Sequence, residues 1–236
     1  MPSLPHRLLR TFIVLIAAWF GVSVLVVLVL RFVPPWTSAT MMERRVAAVL
    51  HGEHDFTLHY RWTPWNELSP WVPLAMMAGE DQKFPFHHGF DFDAIQDALD
   101  AADEGRRLRG ASTISQQVAK NLFLWNGRSF VRKGLEAYFA VLIETLWPKR
   151  RILEVYCNIA ELGDGIYGTG AASAAFFRVP PGQLGPEQAA RLAAVLPNPR
   201  RLHADRPSPY VLRRSAWILR QMQHLGGPAY LARLDH

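Results

Sequence analysis

The longest uncharged stretch of the chain lies close to its N-terminus. Nineteen consecutive residues, Phe12 to Leu30, carry no charge and are mostly Val, Leu and Ile. As an α-helix they would span about 28 Å, close to the ~30 Å hydrocarbon core of a bilayer. A cleaved signal peptide would have a shorter apolar region followed by small residues, whereas this run ends in Arg31 and then Pro34-Pro35. The pattern predicts a transmembrane anchor over residues 11–33.

The charges around this stretch predict its orientation. His6, Arg7 and Arg10 precede it, and no acidic residue occurs among the first 42 residues. Because basic flanks favour the cytoplasmic side of a membrane, we expect residues 1–10 to be cytoplasmic. The rest of the chain should then lie on the outer side.

Beyond the anchor, apolar residues recur mostly at helical spacing, which predicts a mainly α fold. A juxtamembrane linker, residues 34–60, should contain a short helix from Thr37 to Leu50. A possible short strand covers Thr57 to Trp62, and Ser69-Pro70 should cap a helix that runs to Ala78. Further helices are predicted at about 92–104, 112–124, 129–147, 149–160, 168–177, 186–196 and 209–224. Residues 61–236 are therefore interpreted as one α-rich domain.

Composition narrows the possible partners. Half of the residues (50%) are hydrophobic and 19% are charged, which excludes a disordered or collagen-like chain. The formal net charge of +6 favours an anionic partner such as nucleic acid, a membrane surface or a phosphorylated substrate. Cys157 is the only cysteine, so an intrachain disulfide and a metal site of several cysteines are excluded.

One glycine pattern suggests a nucleotide site and is rejected. Gly163, Gly165 and Gly168 satisfy the dinucleotide fingerprint G-x-G-x-x-G. That motif needs a preceding strand and a following helix in a βαβ unit, whereas the preceding segment here is charged at helical spacing. We interpret the glycines as a helix–loop–helix turn that uses positive φ and close packing.

Three polar segments could carry chemistry. The first follows the predicted apolar helix and runs from Glu80-Asp81 through Phe84 to His87 and Asp91. A Glu against apolar neighbours can have a raised pKa and act as an acid or a base. The alternative is an ordinary helix end with solvated charges.

The second and third segments are polar helix faces. Ser112 or Thr113 can cap a helix in which Gln116, Gln117, Lys120 and Asn121 lie three and four residues apart. Such a face suits a sugar and a phosphate, but this segment taken alone fits a solvated helix face better. The third segment, Arg128, Arg132, Lys133 and Glu136, is either a phosphate clamp or a surface i,i+4 ion pair.

The apolar loop between the second and third segments has two open interpretations. Leu122 to Trp125, with Phe130-Val131 beyond, lies between cationic residues. The loop either dips into the membrane interface with its aromatic side chains or buries Phe123 and Trp125 in the core.

Together the segments resemble the membrane-anchored peptidoglycan glycosyltransferases, in their monofunctional form. Glu80-Asp81-x-x-Phe84-x-x-His87 is similar to that family's first motif, the segment from Ser112 to Asn121 to the second, and Arg132-Lys133-x-x-Glu136 to the third. Segments at 149–177 and 184–199 resemble the fourth and fifth. The family fold is α-rich and lysozyme-like.

The resemblance implies the roles of these residues. Glu80 would be the general base and Glu136 a second catalytic carboxylate that supports the pyrophosphate network. The substrate-binding residues would be Asp81, Phe84, His87, Ser112, Thr113, Gln117, Lys120, Asn121, Arg128, Arg132 and Lys133. The substrate would be lipid II with the growing glycan strand, aided by a divalent cation, Mg or Mn. The location would be the bacterial inner membrane, with a periplasmic catalytic domain and no nucleic acid partner.

The sequence disfavours three other functions. A muramidase or lytic transglycosylase would share the fold, but it needs a protonated Glu and no pyrophosphate clamp. A catalytically dead binding protein would have lost Glu80 or Glu136, and both are present. A bifunctional enzyme with a penicillin-binding domain is excluded by length and by the absence of Ser-x-x-Lys and Lys-Thr-Gly.

Overall fold

The computed structural model describes residues 4–103, 112–127 and 129–235. Within them the fold is mainly α, as the sequence predicts, with one small sheet. The longer helices are α1 (Leu4–Phe32), α2 (Ala39–Leu50), α3 (Trp71–Glu80), α4 (Phe92–Asp103), α5 (Ile114–Phe123), α6 (Phe130–Leu146), α7 (Lys149–Ile159), α9 (Pro186–Val195) and α10 (Pro209–His224). Short helix α8 (Gly168–Ala172) continues as a π-helical turn, Ser173–Phe177. Shorter 3-10 turns are Trp65–Glu67, Pro181–Gln183 and Gly227–Asp235.

Helix α1 contains the predicted anchor. Its stretch Leu8–Phe32 is long and apolar enough to cross a membrane. The C-terminal part of α1 packs against α6, where Ser23 Oγ and Tyr138 Oη lie 2.6 Å apart. The indole of Trp147 donates to the carbonyl of Val27 (2.7 Å), and Arg151 donates to the carbonyl of Leu30 (2.8 Å). The apolar helix is therefore attached directly to the folded domain.

The sheet corrects one interpretation made from the sequence. Strands β2 (Glu161–Gly163) and β3 (Ile166–Tyr167) form an antiparallel hairpin, and β1 (His59–Tyr60) pairs in parallel with β3. The glycine segment is therefore a β-hairpin that leads into α8, and the predicted helix–loop–helix turn is wrong. Its glycines are needed for the predicted reason: Gly168 has φ +76°, and a Cβ there would lie 2.1 Å from the carbonyl oxygen of Asn158.

Helix α3 is the centre of the core. Val72 through Ala78 are all buried, because α3 packs between α9 and α10. The predicted cap is wrong in detail: Pro70 occupies the N-cap position, and Ser69 Oγ donates to the carbonyl of Leu184 (2.6 Å). The second group of helices is built around α5, which contacts α6 and α7. The C-terminus of α3 meets the start of α5, and the polar segments come together there.

Candidate active site

Glu80 is the last residue of α3 and borders a cleft between the end of α3, the start of α5 and α10. Its side chain is 17% exposed. One carboxylate oxygen, Oε2, accepts a hydrogen bond from the amide nitrogen of Gln117 (3.0 Å), and the other, Oε1, accepts one from Arg214 Nη2 (3.1 Å). Burial raises the pKa of Glu80 above its ordinary value, while Gln117 and Arg214 act in the opposite direction. A carboxylate with a raised pKa that is held by two donors at the edge of a cleft is suited to accept a proton.

The residues just after Glu80 join α3 to the start of α5. The Asp81 carboxylate is buried and accepts hydrogen bonds from His87 Nε2 (3.0 Å) and from the backbone N–H of Ile114 (2.9 Å). Phe84 is fully buried, with Lys149 Nζ 4.5 Å from its ring centre. The contacts of Asp81, Phe84 and His87 thus support the loop beneath Glu80, and their predicted binding of substrate stays a prediction.

The first turn of α5 is fixed by a capping box. Thr113 caps the helix, and its side chain accepts a hydrogen bond from the backbone N–H of Gln116. In return, the backbone N–H of Thr113 donates to Oε1 of Gln116 (3.1 Å). Thr113 Oγ1 also donates to the carbonyl of Gly89 (2.6 Å). The predicted polar face is therefore divided: Gln116 is buried in the cap, whereas Ser112 is exposed at the cleft and Gln117 contacts Glu80.

A cationic cluster lies beside the carboxylate of Glu136. Glu136 is buried and accepts from Arg132 Nη1 (2.7 Å) and from Lys133 Nζ, both on its own helix α6. Burial lowers the pKa of Lys120, and the negative charge of Glu136 opposes that effect. Glu80 also opposes the effect of burial on the pKa of Lys120, and Lys120 lies one helical turn after Gln117, which binds Glu80. This cation is therefore within electrostatic range of both carboxylates. The pair Arg132–Glu136 is consequently not the solvated surface pair of the alternative interpretation.

Of the two remaining predicted residues, one belongs to the described part of the chain. Asn121 is half-buried on α5, and its carbonyl accepts a hydrogen bond from Thr40 (3.4 Å). Arg128 lies outside the described residues. Its assignment to the phosphate clamp therefore stays a prediction.

The cleft itself has a volume of about 680 Å³. It is lined by Gly79, Glu80, Ser112, Gln117, Pro197, Tyr210, Arg213, Arg214 and Trp217. Sequence reasoning missed the wall provided by α10, because that helix has an ordinary amphipathic pattern. The consecutive pair Arg213-Arg214 was the only local signal, and a pair of basic residues on a helix is usually solvated.

The donor set does not fit a cation held by protein ligands. Both oxygens of Glu136 are occupied by cationic side chains, and both oxygens of Glu80 by Arg214 and Gln117. Across residues 4–103, 112–127 and 129–235, no group of three or more His, Cys, Asp or Glu side chains could hold a metal ion. The described residues therefore offer no ready set of protein ligands for the predicted divalent cation.

Comparison with known proteins gives consistent matches. The family model described as Transglycosylase matches residues 47–223. The biosynthetic peptidoglycan transglycosylase of Chromohalobacter salexigens is 56% identical over 229 residues, which cover 97% of each chain. Its namesake from Xanthomonas campestris pv. campestris is 53% identical over 230 residues, covering 98% of this chain and 94% of the relative. One from Xylella fastidiosa is 56% identical over 209 residues, 89% and 86% of the two chains.

Proposed function

Since this chain belongs to the transglycosylase family and is a peptidoglycan glycosyltransferase, we propose that it polymerises lipid II into β-1,4-linked glycan strands and releases undecaprenyl pyrophosphate. The observation that carries the proposal is the hydrogen bond from Gln117 to the Glu80 carboxylate (3.0 Å), because it brings Glu80 to the helix face on which the cation of Lys120 follows one turn later. The Glu80 carboxylate suits a base, and the Lys120 cation suits a departing pyrophosphate.

In the proposed step Glu80 removes the proton from the 4-hydroxyl of the acceptor sugar. The acceptor oxygen then forms a bond to the anomeric carbon of the donor as the bond from that carbon to the pyrophosphate breaks. An α-linked donor gives a β-linked product, so the displacement occurs once, with inversion. Gln117 and Arg214 bind the carboxylate from two sides, which supports a fixed orientation of the base.

Negative charge grows on the pyrophosphate as it leaves. Lys120, Arg132 and Lys133 would stabilise that charge, together with Arg128 as the sequence predicts. Glu136 holds Arg132 and Lys133 in place, so we assign it to the organisation of the cations. A pyrophosphate needs little protonation to depart, and a second acid is not required.

The proposed location is the bacterial inner membrane, with α1 as the anchor, residues 1–10 in the cytoplasm and the domain in the periplasm. The packing of α1 on α6 supports this location, because α6 carries Arg132 and Glu136. The cationic cluster is thereby attached to the helix that enters the bilayer. A substrate whose pyrophosphate lies at headgroup depth and whose tail stays in the membrane would suit this arrangement.

The test is incubation of the full chain with fluorescent lipid II in vesicles. We expect glycan polymer and released undecaprenyl pyrophosphate from the parent and from the control Glu67→Gln, which alters an exposed carboxylate. The raised pKa of Glu80 would also suit a general acid that cleaves glycan, so isolated peptidoglycan strands are supplied in a parallel reaction. Cleavage of those strands without any polymer from lipid II would overturn the proposal in favour of a muramidase.

A further inference from the structure

Side chains from three helices that are distant in sequence fix the Glu80 carboxylate, two by direct contact and one through a neighbour. Gln117 on α5 binds Oε2 at 3.0 Å, and Arg214 on α10 binds Oε1 at 3.1 Å. Tyr156 on α7 donates to Oε1 of Gln117 at 3.0 Å. Helix α3 itself contributes Glu80 at its last residue. The orientation of this carboxylate thus depends on how four helices pack.

Tyr156 determines which end of the Gln117 amide faces Glu80. The side chain of Tyr156 is fully buried, and its hydroxyl donates to the amide oxygen of Gln117. The amide nitrogen is therefore turned toward the carboxylate, to which it can donate. With the hydroxyl removed, the amide could rotate and present its oxygen to a negative carboxylate, which would be repulsive.

Arg214 supplies the cation on the opposite side. Besides Glu80, its Nη2 lies 3.4 Å from the carbonyl oxygen of Gly79, so the guanidinium binds the end of α3 at two points. Its Nε is buried without a hydrogen-bond partner within the described residues. The neighbouring Arg213 lines the same cleft but forms neither a hydrogen bond nor an ion pair with any described residue.

We propose that Arg214 and Tyr156 are positioning residues for Glu80: Tyr156 acts through Gln117 to fix the carboxylate toward the cleft, and Arg214 balances its charge from the other side. The proposal rests on the proposed function in that Glu80 is taken as the base. It assigns roles to two side chains that lie on helices outside the segment carrying Glu80. Neither side chain needs to touch the reacting atoms.

The charges around Glu80 determine the sign of the expected pH effect. The charged and titratable groups around it are Arg214 from α10, Lys120 from α5, Tyr156 from α7, and Asp81 just after α3. Arg213 lines the same cleft without contacting the carboxylate. Arg214 lowers the pKa of Glu80 against the effect of burial. Loss of this cation should raise that pKa further. The base then becomes deprotonated only at higher pH, so the acidic limb of kcat/KM moves upward.

The first experiment measures the pH profile of lipid II polymerisation by the full chain. Arg214→Gln should move the acidic limb up by about 1 unit, the lower end of the effect of a nearby opposite charge. Arg214→Lys should restore part of the shift. Arg213→Gln, which removes an equal charge from the same cleft, should leave the limb where the parent has it, whatever its effect on KM. Equal shifts from Arg213→Gln and Arg214→Gln would overturn the assignment of Arg214.

Tyr156→Phe tests the role of the hydrogen bond from Tyr156 to Gln117. It removes one hydroxyl and keeps the buried ring, so kcat should fall about tenfold through misorientation of the base. The acidic limb should move less than in Arg214→Gln, because no charge is lost. An unchanged kcat would overturn the role of Tyr156. A lower melting temperature with kcat intact would indicate that the hydroxyl serves only stability.

A second measurement does not depend on activity. A carboxyl whose pKa is raised in the folded state stabilises the fold below its unfolded pKa, and this contribution is lost as pH rises through the folded pKa. The difference in melting temperature between the parent and Glu80→Gln should therefore fall with pH. In the Arg214→Gln background the fall should occur at higher pH. If the parent makes no polymer from lipid II, the proposed function fails, and this titration still tests Arg214; an unchanged midpoint would overturn its role.

Discussion

The two carboxylates of the site, Glu80 and Glu136, are neutralised in different ways. Glu136 is bound by Lys133 and Arg132, three and four residues earlier on the same helix. Glu80 is bound by Gln117 and Arg214, which lie 37 and 134 residues away in sequence. The first arrangement is made by one helix, whereas the second exists only when α3, α5 and α10 are packed.

This difference separates their chemical roles. Two cations occupy the oxygens of Glu136, so this carboxylate is well suited to organise cations and poorly suited to accept a proton. One cation and one neutral amide bind Glu80, and burial raises its pKa. Under the proposed function the same functional group would serve two purposes in two surroundings, as environment sets the roles of paired carboxylates in enzymes.

The largest expected effect comes from Glu80→Gln. Loss of a general base typically costs ~10²–10⁴-fold in rate, so polymerisation should be nearly abolished. The amide removes a desolvated charge, and the melting temperature near pH 8 should not fall. The assay is lipid II polymerisation beside differential scanning fluorimetry. A variant that keeps more than about a tenth of the parent rate would mean that Glu80 is not the base.

Removal of the Lys120 cation should have the next largest effect. We expect Lys120→Ala to lower kcat by about 10²-fold, the loss typical of one group that stabilises transition-state charge. Lys83→Ala is the matched control, because Lys83 forms an exposed pair with Asp93. A change confined to KM would show that Lys120 binds only the ground state.

Glu136→Gln should distinguish the two carboxylates by stability. Arg132 and Lys133 each bind a different oxygen of Glu136. The amide replaces one of these oxygens by an NH2 donor and removes the negative charge, so one cation loses its acceptor and meets a donor instead. We expect a loss of about 1–2 kcal/mol in the free energy of unfolding, measured by chemical denaturation in detergent. Glu80→Gln should show no such loss at the same pH. Equal losses in the two variants would remove the distinction drawn between them.

The loop between Lys120 and Arg132 gives the smallest effects. Phe123 stacks on Phe139 with ring centres 4.4 Å apart, whereas Trp125 is 50% exposed and Phe130 is 98% exposed. The structure thus divides the two open interpretations: Phe123 packs in the core, and Trp125 and Phe130 are available to the membrane interface. Phe123→Ser should lower the melting temperature, and Phe130→Ser should not.

Trp125 can be tested for contact with lipid directly. In vesicles of brominated lipid, Trp125→Phe should reduce the quenched part of the tryptophan fluorescence of the full chain. Trp65→Phe, at a half-buried position in the turn after β1, is the control. Equal quenching in the parent and Trp125→Phe would place the loop away from the bilayer.

Much of this molecule could be predicted from local sequence patterns. The predicted helices from 112–124 to 209–224 lie within two residues of their observed bounds, except that the segment 168–177 ends in a π-helical turn. The cap at Thr113 was one of two predicted candidates. These features depend on side-chain periodicity and on hydrogen bonds between near neighbours, which the sequence displays directly.

The sequence by itself determined the apolar helix, the helical domain and the pairing of Glu136 with Arg132, because an i,i+4 pair on one helix needs no other element. Only the tertiary structure decided the environment of Glu80. Its burial comes from the packing of α3 against α9 and α10, and its partners Gln117 and Arg214 come from helices whose approach no local pattern specifies. The hairpin at Gly163 was missed for the same reason: β3 is stabilised by pairing with β1, a strand distant in the chain.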